Sequence, residues 1–151
     1  MKRSLTITLA LVVVLAATGV WADDLKGANQ LLCTAVQATE CLQGGDCFVD
    51  LPWNLKVPQF IEVNLDTKRL STTKASGENR ETPITHLTRE GDLIVLQGLE
   101  NGRAFSFMIT EETGRLAVAV ATKEKTVAVF GACTPLPAAG APAGKSREGK
   151  P

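Results

Sequence analysis

The chain has no tyrosine, and only one histidine, His86, among its 151 residues. A single imidazole excludes a histidine-rich metal centre and leaves any catalytic base without a partner of its own kind. Neither sign of charge is in excess: 16 basic residues stand against 16 acidic ones. Lys2 and Arg3 open the chain, and Lys145, Arg147 and Lys150 near its end face Glu148 alone, so the stretch between is weakly acidic. That excludes the basic footprint of a nucleic-acid binder. No glycine-rich phosphate loop, Gly-x-Ser-x-Gly elbow or close Cys-x-x-Cys pair is present. Ser71 and Lys74 spell Ser-x-x-Lys, but the companion Ser-Asp-Asn and Lys-Thr-Gly motifs are missing, and the chain is too short for the enzymes that use them. No catalytic residue, metal ligand or cofactor is therefore assigned, and no enzyme is expected.

Long apolar runs are also missing, with one exception. After Met1-Lys2-Arg3, residues 5–20 are almost wholly apolar, and Val20-Trp21-Ala22 places small residues where a leader peptidase cuts. Residues 1–22 read as a signal peptide. The run falls short of the roughly 20 residues that span a bilayer, and Asp23 and Asp24 follow at once. No cysteine stands near the cut, so a lipid anchor is not indicated. The expected product is periplasmic or secreted, monomeric and without a membrane span. Residues 134–151, with Pro135, Pro137, Pro142 and Pro151 among Ala, Gly and Lys, cannot build a core and read as a disordered tail.

Export gives the four cysteines a meaning. An even number in an oxidising compartment implies two disulfides, with three possible pairings. Cys33 and Cys41 on one extended strand would lie roughly 27 Å apart and could not bond. A hairpin through Gly44-Gly45 places Cys41 opposite Cys47, which leaves Cys33 for Cys133. This pairing requires residues 31–42 to be a strand. Leu25, Ala28, Leu32 and Thr39 also fit a helical stripe, but the closely following Gly-Gly turn favours the strand. Residues 23–30 are then a frayed or helical lead-in.

What the chain has in quantity is alternation. Phe105, Phe107 and Ile109 share one face of residues 104–110; Leu116, Val118 and Val120 share one face of residues 116–122; Val127, Val129, Gly131 and Cys133 continue the pattern. Period two is the strand repeat. Asn101-Gly102 is the dipeptide of a type I′ hairpin turn, and Glu90-Gly91 and Thr113-Gly114 supply further reversals. Earlier short strands are expected at residues 47–51, 59–65, 69–74 and 84–88. The sum is an all-β domain over residues 31–133. About eight or nine short antiparallel strands form a meander that closes into a barrel or sandwich.

Few side chains invite a functional role. Arg103 opens the Phe105/Phe107 strand; beside aromatics it can form a cross-strand ion pair or anchor a ligand carboxylate. Trp53, between Pro52 and Asn54, either plugs one end of the barrel or offers a recognition surface. Arg103, Trp53, Phe105 and Phe107 are therefore the candidate binding residues. His86 on a short strand reads as structural, and Glu111-Glu112 as a solvated turn.

The segments CTAVQATEC, GGDC, VPQFIEVNL, LIVLQGLENGRAFSF and VFGAC together resemble small exported β-rich proteins of Gram-negative bacteria that carry no assigned function. The resemblance implies export and an all-β fold, and brings no catalytic residues. Residues 71–77, Ser-Thr-Thr-Lys-Ala-Ser-Gly, are loosely similar to the Ser/Gly-rich loop with which periplasmic inhibitors of C-type lysozymes, small disulfide-bearing barrels, engage their target; the tyrosine of that loop has no counterpart here. The expected function is a non-enzymatic exported module that binds a protein or a small envelope molecule. The alternatives are an envelope protein without a discrete ligand, a lysozyme-inhibitor-like protein, and an enzyme built on His86 or the acids. A cavity lined by Arg103, Phe105 and Phe107 would favour a ligand carrier; a filled interior would favour a scaffold.

Overall fold

Alternation of inward and outward side chains builds one continuous sheet. The structure, a computed structural model, describes residues 24–137; the expected leader and most of the expected tail lie outside them. The strands are β1 (Gln30–Leu42), β2 (Cys47–Asp50), β3 (Phe60–Asn64), β4 (Arg69–Thr72), β5 (Glu81–Pro83), β6 (His86–Glu90), β7 (Leu93–Glu100), β8 (Arg103–Thr110), β9 (Arg115–Ala121) and β10 (Lys125–Pro135). They form a ten-stranded antiparallel sheet in the order β5-β4-β3-β1-β10-β9-β8-β7-β6, with β2 paired to the far half of β1. The sheet curls into a half-barrel around an apolar interior. Residues 30–42 are strand throughout, so the helical alternative is excluded. The added strand is β5, three residues long and too short to show alternation.

Both disulfides have the expected partners. Cys33 bonds Cys133, which lies directly opposite it across the β1/β10 ladder. Cys41 bonds Cys47 across the β1/β2 hairpin. The first links the earliest strand to the last within the core, where Cys33 and Cys133 are buried. Pairing of β1 with β10 continues past the expected domain end, to Leu31 opposite Pro135, and Leu136 N–H donates to the Gln30 carbonyl at 2.8 Å.

The expected hairpin turn also forms. Asn101 and Gly102 take φ of 49° and 74°, the positive values that a type I′ turn needs. A second glycine, Gly131, serves close approach. The β1/β10 register shifts between Ala35 and Gln37, and there a Cβ on Gly131 would collide with the Thr34 carbonyl.

The interior is layered, and the layers differ. Ile94, Ile109, Leu116, Gly131 and Ala35 lie side by side across β7, β8, β9, β10 and β1. One step along, the layer is Leu96, Phe107, Val118, Val129 and Ala38. One step further, it is Gly98, Phe105, Val120, Val127 and Glu40. Along β7 and β9 the inward residues shorten, from Ile94 and Leu116 at one end of the half-barrel to Gly98 and Val120 at the other.

The bulky end is closed by the lead-in. Leu25 is fully buried, and its N–H donates to the Glu111 carbonyl at 2.8 Å. Arg89 fastens the same segment, its Nη2 donating to the Ala28 carbonyl at 2.8 Å. Two expectations are corrected here. The lead-in is neither frayed nor helical, because Leu25 fills a site that the strands leave open. Glu111 is buried rather than solvated, because the lead-in covers it; its Oε1 accepts no hydrogen bond and faces the Arg89 guanidinium at 3.4 Å.

Candidate functional site

The small side chains of the other end leave a void. Val118, Val120, Val127 and Val129 are shorter than the Leu and Ile of the closed end. The result is a cavity of about 250 Å³ that opens at the end carrying the Asn101-Gly102 turn and the turn before β10. Phe107 and Val129 lie deep in it, Phe105 stands nearer the mouth, and Leu55 and Val57 line it from the connection between β2 and β3. The two phenyl rings meet edge to face, with centroids 5.7 Å apart. Gly98 makes room for this arrangement: a Cβ there would strike the tip of the Phe105 ring and come within 2.9 Å of the Pro83 carbonyl on β5.

Charge is confined to the rim. Glu100 ends β7 and Arg103 begins β8, opposite each other across the hairpin turn. Both have the inward parity of Phe105, which is why a charged pair reaches the cavity. Arg103 Nη2 donates to Glu100 Oε2 at 3.1 Å, and Arg80 Nη2 donates to the same oxygen at 2.8 Å. Arg80 is held in place by backbone: its N–H donates to Thr72 Oγ1 and its carbonyl accepts from Thr72 N–H, each at 3.0 Å. Across the mouth Lys125 Nζ donates to Glu40 Oε2 at 2.5 Å. Partial burial works against ionisation of Glu100, but hydrogen bonds from Thr82 and Arg80 and the positive charges of Arg80 and Arg103 outweigh it and hold the carboxyl below the usual carboxylate range. The lining includes Lys56, Arg80, Arg103 and Lys125 against Glu100 as its one acid. The mouth is thus cationic on a weakly acidic domain.

A wider cleft of about 690 Å³ adjoins the cavity and shares Lys56, Val57, Pro58, Arg80 and Arg103 with it. Trp53 and Phe60 line this outer cleft. Of the candidate binding residues, Arg103, Phe105 and Phe107 therefore meet in one cavity, while Trp53 stands in the vestibule. Trp53 does not plug the barrel. It is 52% exposed, because the 3₁₀ turn Pro52–Leu55 buries Pro52 and turns Leu55 inward instead. Arg103 makes the expected cross-strand pair and lines the cavity as well.

His86 does not line the cavity. It is exposed on β6, with its Nε2 2.9 Å from Thr88 Oγ1. Ser71 lines the cavity from β4, whereas Lys74 is exposed in the next turn, so the Ser-x-x-Lys spelling builds no nucleophile and base pair. Among the described residues no group of three or more His, Cys, Asp or Glu side chains gathers as a metal site would require.

Sequence reasoning missed Arg80, Glu100 and Lys125. For Glu100 and Lys125 a signal was available: each continues the inward parity of its strand, Glu100 after Leu96 and Gly98, and Lys125 before Val127. A charge at an inward position next to a strand end marks a cavity mouth. Arg80 carries no such signal, since its place depends on the path of a loop. In comparisons with known proteins, no family model matches the chain, and no curated protein does so either.

Proposed function

We propose that this protein is an exported, non-enzymatic binding module that holds a small apolar molecule in the open end of its half-barrel. The observation that carries the reading is the cavity: about 250 Å³, walled by phenylalanine and valine, with its polar groups gathered at the mouth. Such an enclosure with few convergent polar groups is the usual form of a small-ligand site. Scaling from the roughly 150 Å³ apolar cavity that takes one benzene, it accommodates about ten non-hydrogen atoms. A scaffold without a ligand gains nothing from an unfilled interior, since lining atoms lose dispersion contacts on the open side. The two disulfides support an oxidising compartment.

Trp53 in the vestibule supplies the assay, because after leader removal it is the only tryptophan. Titration with a panel of apolar compounds of this size should change its fluorescence saturably. Val129→Phe places a ring in the cavity; it should abolish the response while raising the melting temperature above that of the parent. A folded Val129→Phe protein that binds like the parent would place the ligand elsewhere.

A further inference from the structure

The rim of the cavity goes further than its walls, because it selects a headgroup. We infer that the ligand is a compact apolar monocarboxylate, of about octanoate's size, whose carboxylate is received by Arg103. This assignment rests on the ligand-holding reading above and names the chemistry of that same site.

A guanidinium carries five N–H groups and no acceptor. Arg103 spends one of them on Glu100 Oε2, and it shares that oxygen with Arg80. Arg80 has a second acid, Glu78, at 3.6 Å. Lys125 has Glu40. Arg103 has no acid beyond the shared Glu100 among the described residues, and Lys56 beside it on the vestibule wall has none. A ligand that fills the cavity ends beside the remaining Arg103 donors, because Arg103 lines both the cavity and the outer cleft. An uncharged hydroxyl end would accept from only one of them and without charge assistance, which is the weaker bond. A cationic end would meet a surplus of positive charge, because Glu100 is already occupied by Arg80, Arg103 and Thr82, Glu78 by Arg80 and Glu40 by Lys125. A carboxylate removes both conflicts, because its two oxygens match the guanidinium fork.

Glu100 is part of the device. Held ionised between Arg80 and Arg103, it keeps the Arg103 side chain at the mouth in the empty protein, so little ordering remains to be done on binding. The size limit follows from the walls. About ten non-hydrogen atoms is an octanoate, and a two-chain phospholipid does not fit.

Calorimetric titration of the purified protein with octanoate, octanol and octylamine tests this. Octanoate should bind at least about tenfold tighter than octanol, the usual advantage of a charge-assisted hydrogen bond, and octylamine weakest of all. In Arg103→Gln, octanoate should fall to the octanol level while octanol is unchanged; Arg103→Lys should recover part of the difference. Octanol binding as tightly as octanoate, or Arg103→Gln weakening both equally, would overturn the headgroup assignment and leave the carrier reading intact. Failure of octanoate and octanol alike, with no other apolar compound of the panel bound by the folded protein, would sink the carrier reading itself. Cosedimentation with phosphatidylglycerol vesicles in place of octanoate binding would show a membrane surface to be the partner and overturn the assignment to a free acid.

Discussion

Removing the disulfides one at a time should separate two cross-links of equal chemistry by about a factor of two in free energy. Cys33 and Cys133 are 100 residues apart, and Cys41 and Cys47 only 6. In the chain-entropy account, a cross-link closing about 100 residues stabilises by about 4.7 kcal/mol, and the same expression gives about 2 kcal/mol for the short loop. Burial widens the gap. Cys33 and Cys133 sit in the core, so Cys33→Ala with Cys133→Ala also removes packed sulfur and leaves a void. β2 is exposed along its whole length, so loss of Cys41–Cys47 frays a hairpin that buries little. Against a typical domain stability of about 5–15 kcal/mol, losing the long cross-link brings the protein near unfolding at body temperature, and losing the short one does not. Urea titrations of the two double variants give the midpoints and slopes. The long-loop variant should show the lower midpoint and also a steeper slope, because its unfolded chain is released to expand. Equal midpoints, or a larger loss from Cys41→Ala with Cys47→Ala, would refute the reasoning.

Two further outcomes follow from the ends of the half-barrel. Leu25→Ala should destabilise by about 2–5 kcal/mol, the range for a fully buried leucine, without altering the ligand affinity of the opposite end; an unchanged melting temperature would show that the lead-in does not seal the core. Glu100, held ionised below the ordinary carboxylate range, contributes stability that is complete above the ordinary glutamate value and is lost as the pH falls through the depressed one. The melting-temperature advantage of the parent over Glu100→Gln should therefore narrow in acid, and an advantage constant from neutral pH to pH about 3 would contradict it.

What could be read from the chain was what local physics determines. Alternation placed β8, β9 and β10, since a strand's faces are written in its own residues. Asn101-Gly102 fixed the hairpin between β7 and β8 because positive φ favours those residue types. The disulfide pairing followed from strand length and one turn. The misses share a different cause. β5 is held by partners on β4 and by its crossing against β7 at Gly98, and nothing within three residues announces it. Leu25 and Glu111 look like frayed or helical lead-in and solvated turn until the lead-in folds back over the end of β8. Arg103, Phe105 and Phe107 were legible as a site because one strand carries all three. Arg80 comes from a loop twenty residues before Glu100, and their meeting is a property of the curled sheet.

The two ends of the half-barrel explain each other. The seam between first and last strands is fixed by Cys33–Cys133, beside the layers where Ile94, Ile109 and Leu116 fill the interior. Stability is therefore concentrated away from the cavity, and the mouth can be built from loops and from side chains that do not pack fully. Val118, Val120, Val127 and Val129 give up dispersion contacts there, and the charged rim gives up hydration once a ligand covers it. A bound ligand would return both, and linkage makes that return visible: a ligand present at a hundredfold over its dissociation constant raises stability by about 2.7 kcal/mol. This is comparable to what the short disulfide contributes by the same kind of estimate. If the cavity were only imperfect packing, filling it with Val129→Phe would raise stability and change nothing else. If it is a site, the same ring raises stability and in doing so removes the protein's response to octanoate.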